Sequence, residues 1–130
     1  YGRVVAVCHV HGVDVGAQLV EEGLAWAFRR YSDAYDRQEG AARRARRGVW
    51  RAETEPPWVF RDHRWSGAAE TAPRRGCPIK GNITSNGEKI YHVPWSPWYD
   101  RTGIDEARGE RWFCGEAEAA AAGWRPARWP

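Results

Sequence analysis

The sequence contains no methionine, three cysteines, and lysine only at Lys80 and Lys89. Without methionine there is no initiator, and the chain is expected to be a piece of a longer protein. No apolar run approaches the roughly 20 residues that a membrane-spanning helix needs, and no signal-peptide pattern is visible, so no membrane partner is expected. The scarcity of lysine means that the 20 cations are nearly all arginine, a bias that genomic base composition alone can produce. The net charge of +3 is therefore weak evidence of a partner. Three cysteines cannot all pair within one chain. Cys77 and Cys114 bracket the C-terminal part and are the natural pair, while Cys8 falls in a strand pattern where cysteine serves as a small apolar residue. A Cys77–Cys114 disulfide implies an oxidising compartment, so a secreted or periplasmic parent is expected.

What the chain does have is 130 residues, enough for one ordinary domain or two very small ones, and nine tryptophans. The stretch Leu19–Tyr31 organises the first part. Leu19, Val20, Leu24, Trp26 and Phe28 are buriable, Glu21 and Glu22 are the wet side, and Gly23 sits where a helix ends with positive φ. Before it, residues 3–10 are β-branched and strand-like, His11-Gly12 gives a turn, and Val13-Asp14-Val15 returns. A helix is expected from about Gly16 to Glu22. A second, with Ser32 or Asp33 as N-cap, is expected to run to about Arg47 and close at Gly48. Arg29, Arg30, Arg37, Arg43, Arg44, Arg46, Arg47 and Arg51 crowd this region, which suits either phosphate binding or a solvated helix face whose last cations complement the helix dipole. Glu55-Pro56-Pro57-Trp58 ends the unit. Residues 61–75 lack apolar periodicity and read as a linker.

A second unit is expected over 76–130. Ile79–Thr84 and Lys89–Val93 read as strands joined through Asn86-Gly87, a hairpin signal. A long aromatic and acidic loop follows. Arg111–Cys114 is a third short strand, Glu116–Ala122 a helix closed by Gly123, and Trp124 an anchor. His92 can fix the hairpin by hydrogen bonding, the favoured reading, or act as an acid/base or ligand. Trp95, Trp98 and Tyr99 can be core or can stack on bases or sugars. Lys80, Lys89, Arg101 and Arg111 can form a phosphate-binding face.

Two resemblances emerge from these residues. Tyr1-Gly2-Arg3 before a valine-rich strand, then Leu19-Val20-Glu21-Glu22-Gly23-Leu24-Ala25, Tyr31 and Glu39-x-x-Ala42-Arg43-x-Ala45-x-x-Gly48-Val49-Trp50, resemble the C-terminal half of a thermonuclease (staphylococcal-nuclease-like) domain over residues 1–60. The resemblance implies an α+β fold: a partial OB-fold barrel made of a β-hairpin and two helices, beside a small hairpin and short-helix unit. It implies calcium-dependent hydrolysis of DNA or RNA by the intact parent. Arg3 matches the catalytic arginine that contacts phosphate and stabilises charge in the transition state. Tyr1 matches a phosphate-side tyrosine, and Tyr31 an aromatic at the nucleotide pocket. The family's calcium aspartates, general-base glutamate and second arginine have no counterparts in this sequence. Residues 1–130 alone are therefore expected to bind no calcium and to be inactive, and a monomer is expected. The alternative is a non-catalytic module that binds nucleic acid or another polyanion.

Cys77-Pro78-Ile79-Lys80-Gly81-Asn82-Ile83, Ile90-Tyr91-His92-Val93-Pro94, Gly109-Glu110-Arg111-Trp112-Phe113-Cys114 and Ala122-Gly123-Trp124-Arg125 resemble the small sunset domain that follows thermonuclease-like domains. The pattern also echoes the zinc module of Ada-type repair proteins. That module uses four cysteines, and Cys77, Cys114 and His92 fall short of it.

Overall fold

The computed structural model describes residues 4–128. It is a mixed α+β structure dividing into two compact units, Tyr1–Pro56 and Pro57–Pro130.

In the first unit, β1 (His9–Val10) and β2 (Val13–Asp14) form a two-stranded antiparallel hairpin. Both turn residues have positive φ, His11 at 49° and Gly12 at 80°, the geometry of a tight primed turn. Residues 4–8, expected as strand, lie outside it, and Val4, Val5 and Val7 are exposed. β-Branched residues favour extended backbone, but a strand exists only where a partner accepts its hydrogen bonds. Among the described residues no barrel closes.

Helix α1 (Val15–Glu21) starts at Asp14, whose Oδ1 accepts the Ala17 N–H at 3.0 Å. It ends in a Schellman arrangement: Gly23 N–H donates to Val20 O at 3.0 Å and Leu24 N–H to Leu19 O at 2.8 Å. Gly23 has φ +72°, as its position in the sequence suggests. Helix α2 (Asp36–Arg44) begins later than Ser32 or Asp33. Ser32 Oγ instead accepts the Ala34 N–H within a turn. The helix also ends before Gly48. Arg46, at φ +50°, takes the left-handed position, with Arg47 N–H on Ala42 O at 3.0 Å. Gly48 is thereby free for a different task. A Cβ there would lie 2.1 Å from Gly23 O, and one on Gly23 would lie 2.3 Å from Arg47 O. The two glycines let the end of α1 meet the end of α2 backbone to backbone, and Val49 N–H donates to Gly23 O at 2.9 Å.

The second unit opens with α3 (Pro57–Thr71), where the sequence suggested a unit end and a linker. Pro57 occupies the first helical position, which suits a residue with no N–H to donate. Trp58 and Trp65, seven residues apart, lie on one helical face. A four-stranded sheet follows, in the order β5-β3-β4-β6. β3 (Ile79–Ile83) and β4 (Lys89–His92) form the expected hairpin, and β5 (Arg111–Phe113) pairs antiparallel with β3. The short β6 (Arg125–Pro126) pairs parallel with β4, a strand the sequence did not suggest. Helix α4 (Glu116–Ala121) precedes it.

Ile79, Tyr91, Val93, Phe113, Ala119 and Trp124 form the buried core. Gly81 belongs to this face because a Cβ would lie 2.6 Å from the Phe113 ring. Cys77 and Cys114 are disulfide-bonded, joining the segment before β3 to the end of β5. α3 is held to the chain after β4 by Arg64, whose Nε donates to Pro94 O at 2.9 Å and whose Nη2 pairs with Asp100 at 3.0 Å. The Trp65 and Trp95 ring centroids lie 6.4 Å apart.

Candidate functional site

Tyr1 and Arg3, the first unit's main candidates, lie outside the described residues. Tyr31 is 80% exposed. Its ring meets Phe28 edge to face at 5.6 Å, with the Arg30 guanidinium 5.8 Å away. An exposed aromatic held this way is available for stacking.

The arginine cluster divides in two. Arg29 and Arg43 serve the fold through Glu39, which is only 2% exposed. Glu39 Oε1 accepts the Ala27 N–H at 3.1 Å, and Oε2 lies 3.4 Å from Arg29 and 3.6 Å from Arg43. Arg43 also lies over the Trp50 ring at 4.0 Å. Arg47 donates to Glu21 O at 3.2 Å. Arg37, Arg44, Arg46 and Arg51 are exposed and form no ion pair among the described residues. Part of the basic patch is thus structural, and part is a free cationic surface.

In the second unit the strand register puts Lys80, Trp112 and His92 on one face of the sheet, with Asn82 one step along it. His92 is 5% exposed. Its Nε2 lies 3.0 Å from Asn82 Oδ1 and its Nδ1 3.4 Å from Ser96 Oγ. A neutral ring donating to Asn82 and accepting from the Ser96 hydroxyl satisfies all three groups. Burial, and secondly the nearby Lys80 charge, push the His92 pKa below the usual histidine value. His92 therefore ties the hairpin to the loop after it.

Lys80 is similarly spent on structure. Nζ donates to Tyr99 O at 2.9 Å and Thr102 O at 2.7 Å and lies 4.4 Å from the Tyr99 ring. Burial lowers its pKa, opposed by Asp100. Lys89 is paired with Ile83 on the opposite face of the sheet, its Nζ 5.9 Å from the Trp124 ring. Arg111, opposite Gly81, shares that face and lies 5.3 Å from the Phe113 ring. The structure does not bring Lys80, Lys89 and Arg111 together into one phosphate-binding face, because strand alternation separates them.

The loop aromatics also differ in role. Tyr99 is core: its hydroxyl donates to Pro78 O at 2.6 Å, and burial, with Asp100 second, pushes its pKa up to about 12. Trp95 is half-buried against Trp65, whereas Trp98 is 41% exposed, with Arg101 6.0 Å from its ring.

Two residues have roles that their place in the sequence patterns did not disclose. Glu39 is a buried acid that the sequence offered only as part of a family pattern, and its spacing from Arg43, one helical turn on, is the signal for a paired role. Glu110 is 7% exposed, and its carboxylate accepts Ile83 N–H at 2.9 Å and Asp105 N–H at 2.8 Å. Burial alone would raise its pKa, but those two donors and the Arg108 charge hold it below the ordinary glutamate value.

Among the described residues no group of three or more His, Cys, Asp or Glu side chains converges to hold a metal ion. With Cys77 and Cys114 bonded to each other, neither offers a thiolate. Among the described residues no helix is long and apolar enough to cross a membrane.

Comparison with known proteins gives a separate similarity for each unit. No curated protein and no solved structure matches the chain. The family described as ArfC matches residues 64–126, beginning within α3 and covering its C-terminal half. The family described as staphylococcal nuclease homologue matches residues 1–52, nearly the whole first unit, and its likeness points to nucleic-acid hydrolases.

Proposed function

We propose that the first unit is the C-terminal portion of a staphylococcal-nuclease-like phosphodiesterase domain whose intact parent cleaves DNA or RNA, and that the second unit is an accessory domain of the sunset type. The observation that carries the reading is the staphylococcal nuclease match over residues 1–52, which includes Tyr1, Arg3 and Tyr31. Arg3 is assigned to the scissile phosphate, because a guanidinium stays charged at all working pH values and can donate two hydrogen bonds to developing negative charge. Tyr1 is assigned beside the phosphate and Tyr31 to stacking on the nucleotide. Calcium is assigned to the parent and not to the described residues.

The test is hydrolysis of DNA by the parent chain, with calcium and with chelator, beside the 130-residue chain. Calcium-dependent cleavage by the parent that is lost in Arg3→Ala, with no cleavage by residues 1–130, is the expected result. Cleavage by residues 1–130 alone overturns the division of labour. A parent without cleavage moves the reading to a polyanion-binding module, which the free cationic surface of Arg37, Arg44, Arg46 and Arg51 supports.

A further inference from the structure

A cleft in the second unit lies at the outer end of β3 and has a volume of about 580 Å³. Asn82, Ser85, Arg101, Asp105, Arg108 and Glu110 are among its walls. Formal charge cancels there, with two arginines against two acids. Hydrogen-bonding capacity does not cancel.

Both acids are already used. The Glu110 carboxylate accepts two backbone N–H groups, and Asp105 Oδ1 accepts the Ala107 N–H at 3.1 Å. The donors, by contrast, are unspent. Among the described residues the Arg101 and Arg108 guanidiniums form no hydrogen bond or ion pair; Arg101 lies 6.0 Å from the Trp98 ring, and Arg108 acts on Glu110 through its charge alone. The Asn82 carbonyl oxygen is occupied by His92, which fixes the carboxamide and leaves its NH₂ as the group on offer. The Ser85 hydroxyl stands on the hairpin turn. The cleft therefore presents donors and asks for an acceptor-rich ligand.

We propose that this cleft binds a phosphate group, either as the free ion or as a monoester. Two guanidinium forks, an amide and a hydroxyl among the residues lining one cleft suit a tetrahedral oxyanion with several terminal oxygens better than a flat carboxylate. The volume exceeds that of a bare phosphate and leaves room for the organic part of an ester, within the range of ordinary small-molecule sites. The site is built on rigid parts. β3 supplies Asn82, and the buried Glu110 clamps the Asp105 loop against Ile83. It stands on the second unit alone, so it and the nuclease reading can fail separately.

The experiment is titration of the 130-residue chain with inorganic phosphate, ribose 5-phosphate and acetate at constant ionic strength, followed by calorimetry and by amide NMR shifts. Saturable phosphate binding with shifts at 82–85 and 101–110 is expected, and acetate should bind far more weakly. Arg101→Gln and Arg108→Gln, both exposed positions, should each weaken it by about tenfold, the usual loss of a charge-assisted contact. Arg111→Gln, on the other face, should leave it unchanged. Equal affinity for the two phosphates identifies the free ion as sufficient, and tighter binding of ribose 5-phosphate identifies the ester. No saturation by either phosphate, equal binding of acetate, or full affinity in both cleft variants overturns the proposal.

Discussion

Among the described residues of the first unit the side chains exposed by 4% or less are Val20, Ala27, Ala42 and the charged Glu39. In the second they include Ile79, Phe113, Ala119 and Trp124, beside Cys77 of the disulfide. The first therefore rests on small groups, a buried ion network and a glycine contact, and leaves Leu19, Leu24 and Phe28 40% or more exposed. The second has a large aromatic core between sheet and helix and a covalent link across it. Apolar area removed from water is the main source of stability, so a unit that buries little depends on each polar or geometric device it has. Mutations in the first should act through single contacts, and those in the second through the core and its crosslink.

The largest expected effect is reductive. The disulfide closes a span of 37 residues, and loop entropy assigns such a link about 4 kcal/mol. Cys77→Ser with Cys114→Ser, or a reducing agent, should speed amide exchange throughout 77–127 and leave 13–50 unaffected, since Cys8 is unbonded. Equal loss in both units would mean that they do not unfold independently. The counterpart in the first unit is Gly23→Ala. It adds a Cβ 2.3 Å from a backbone oxygen at φ +72° and should cost about 3 kcal/mol, seen as lost protection in α1 and α2 only.

Glu39→Gln is next. It keeps the acceptor for Ala27 N–H but removes the charge facing Arg29 and Arg43, which are themselves more than half exposed. A loss of about 1–2 kcal/mol is expected, because a buried charge-assisted bond is weakened and the guanidiniums return to water. A stable variant would show that the network is only decorative. Arg46→Gly runs the other way. Arg46 holds a left-handed conformation that L-residues adopt at a cost, so glycine should stabilise the first unit by about 1 kcal/mol, read as a raised thermal midpoint.

The same contrast governs what could be read in advance. Local punctuation was legible: the His11-Gly12 turn, Gly23 as a helix stop, Asn86-Gly87 in the hairpin, and Gly123 before the Trp124 anchor each follow from a residue's own conformational preference. Features set by distant partners were not. Val4–Val7 carry strand propensity, but pairing decides. α3 was hidden because Pro56-Pro57 reads as a break when it is in fact a helix start, and its Gly67 and Ser66 dilute the apolar period. β6 is two residues whose pairing to β4 no local pattern encodes. In the candidate site, Lys80 and Lys89 looked alike as cations. Only the register shows that one is tied to Tyr99 and Thr102 and the other faces away. The Arg101–Arg108 cleft depends on which carboxylates are already satisfied, and that too is a property of the fold.

The smallest expected effect is a pH dependence confined to the second unit. His92 is held below its ordinary pKa chiefly because its charged form would be buried. The unfolded chain, titrating near 6.5, binds that proton more readily than the fold does. Stability from the neutral ring is then complete above about pH 6.5 and is lost as pH falls from there toward the folded-state value. The second unit's unfolding midpoint should drop between pH 7 and pH 5. His92→Gln, which can still donate to Asn82 and accept from Ser96 but does not titrate, should flatten that slope. The first unit has no buried histidine among its described residues and should show no matching step, so a parallel fall in both units would place the proton elsewhere.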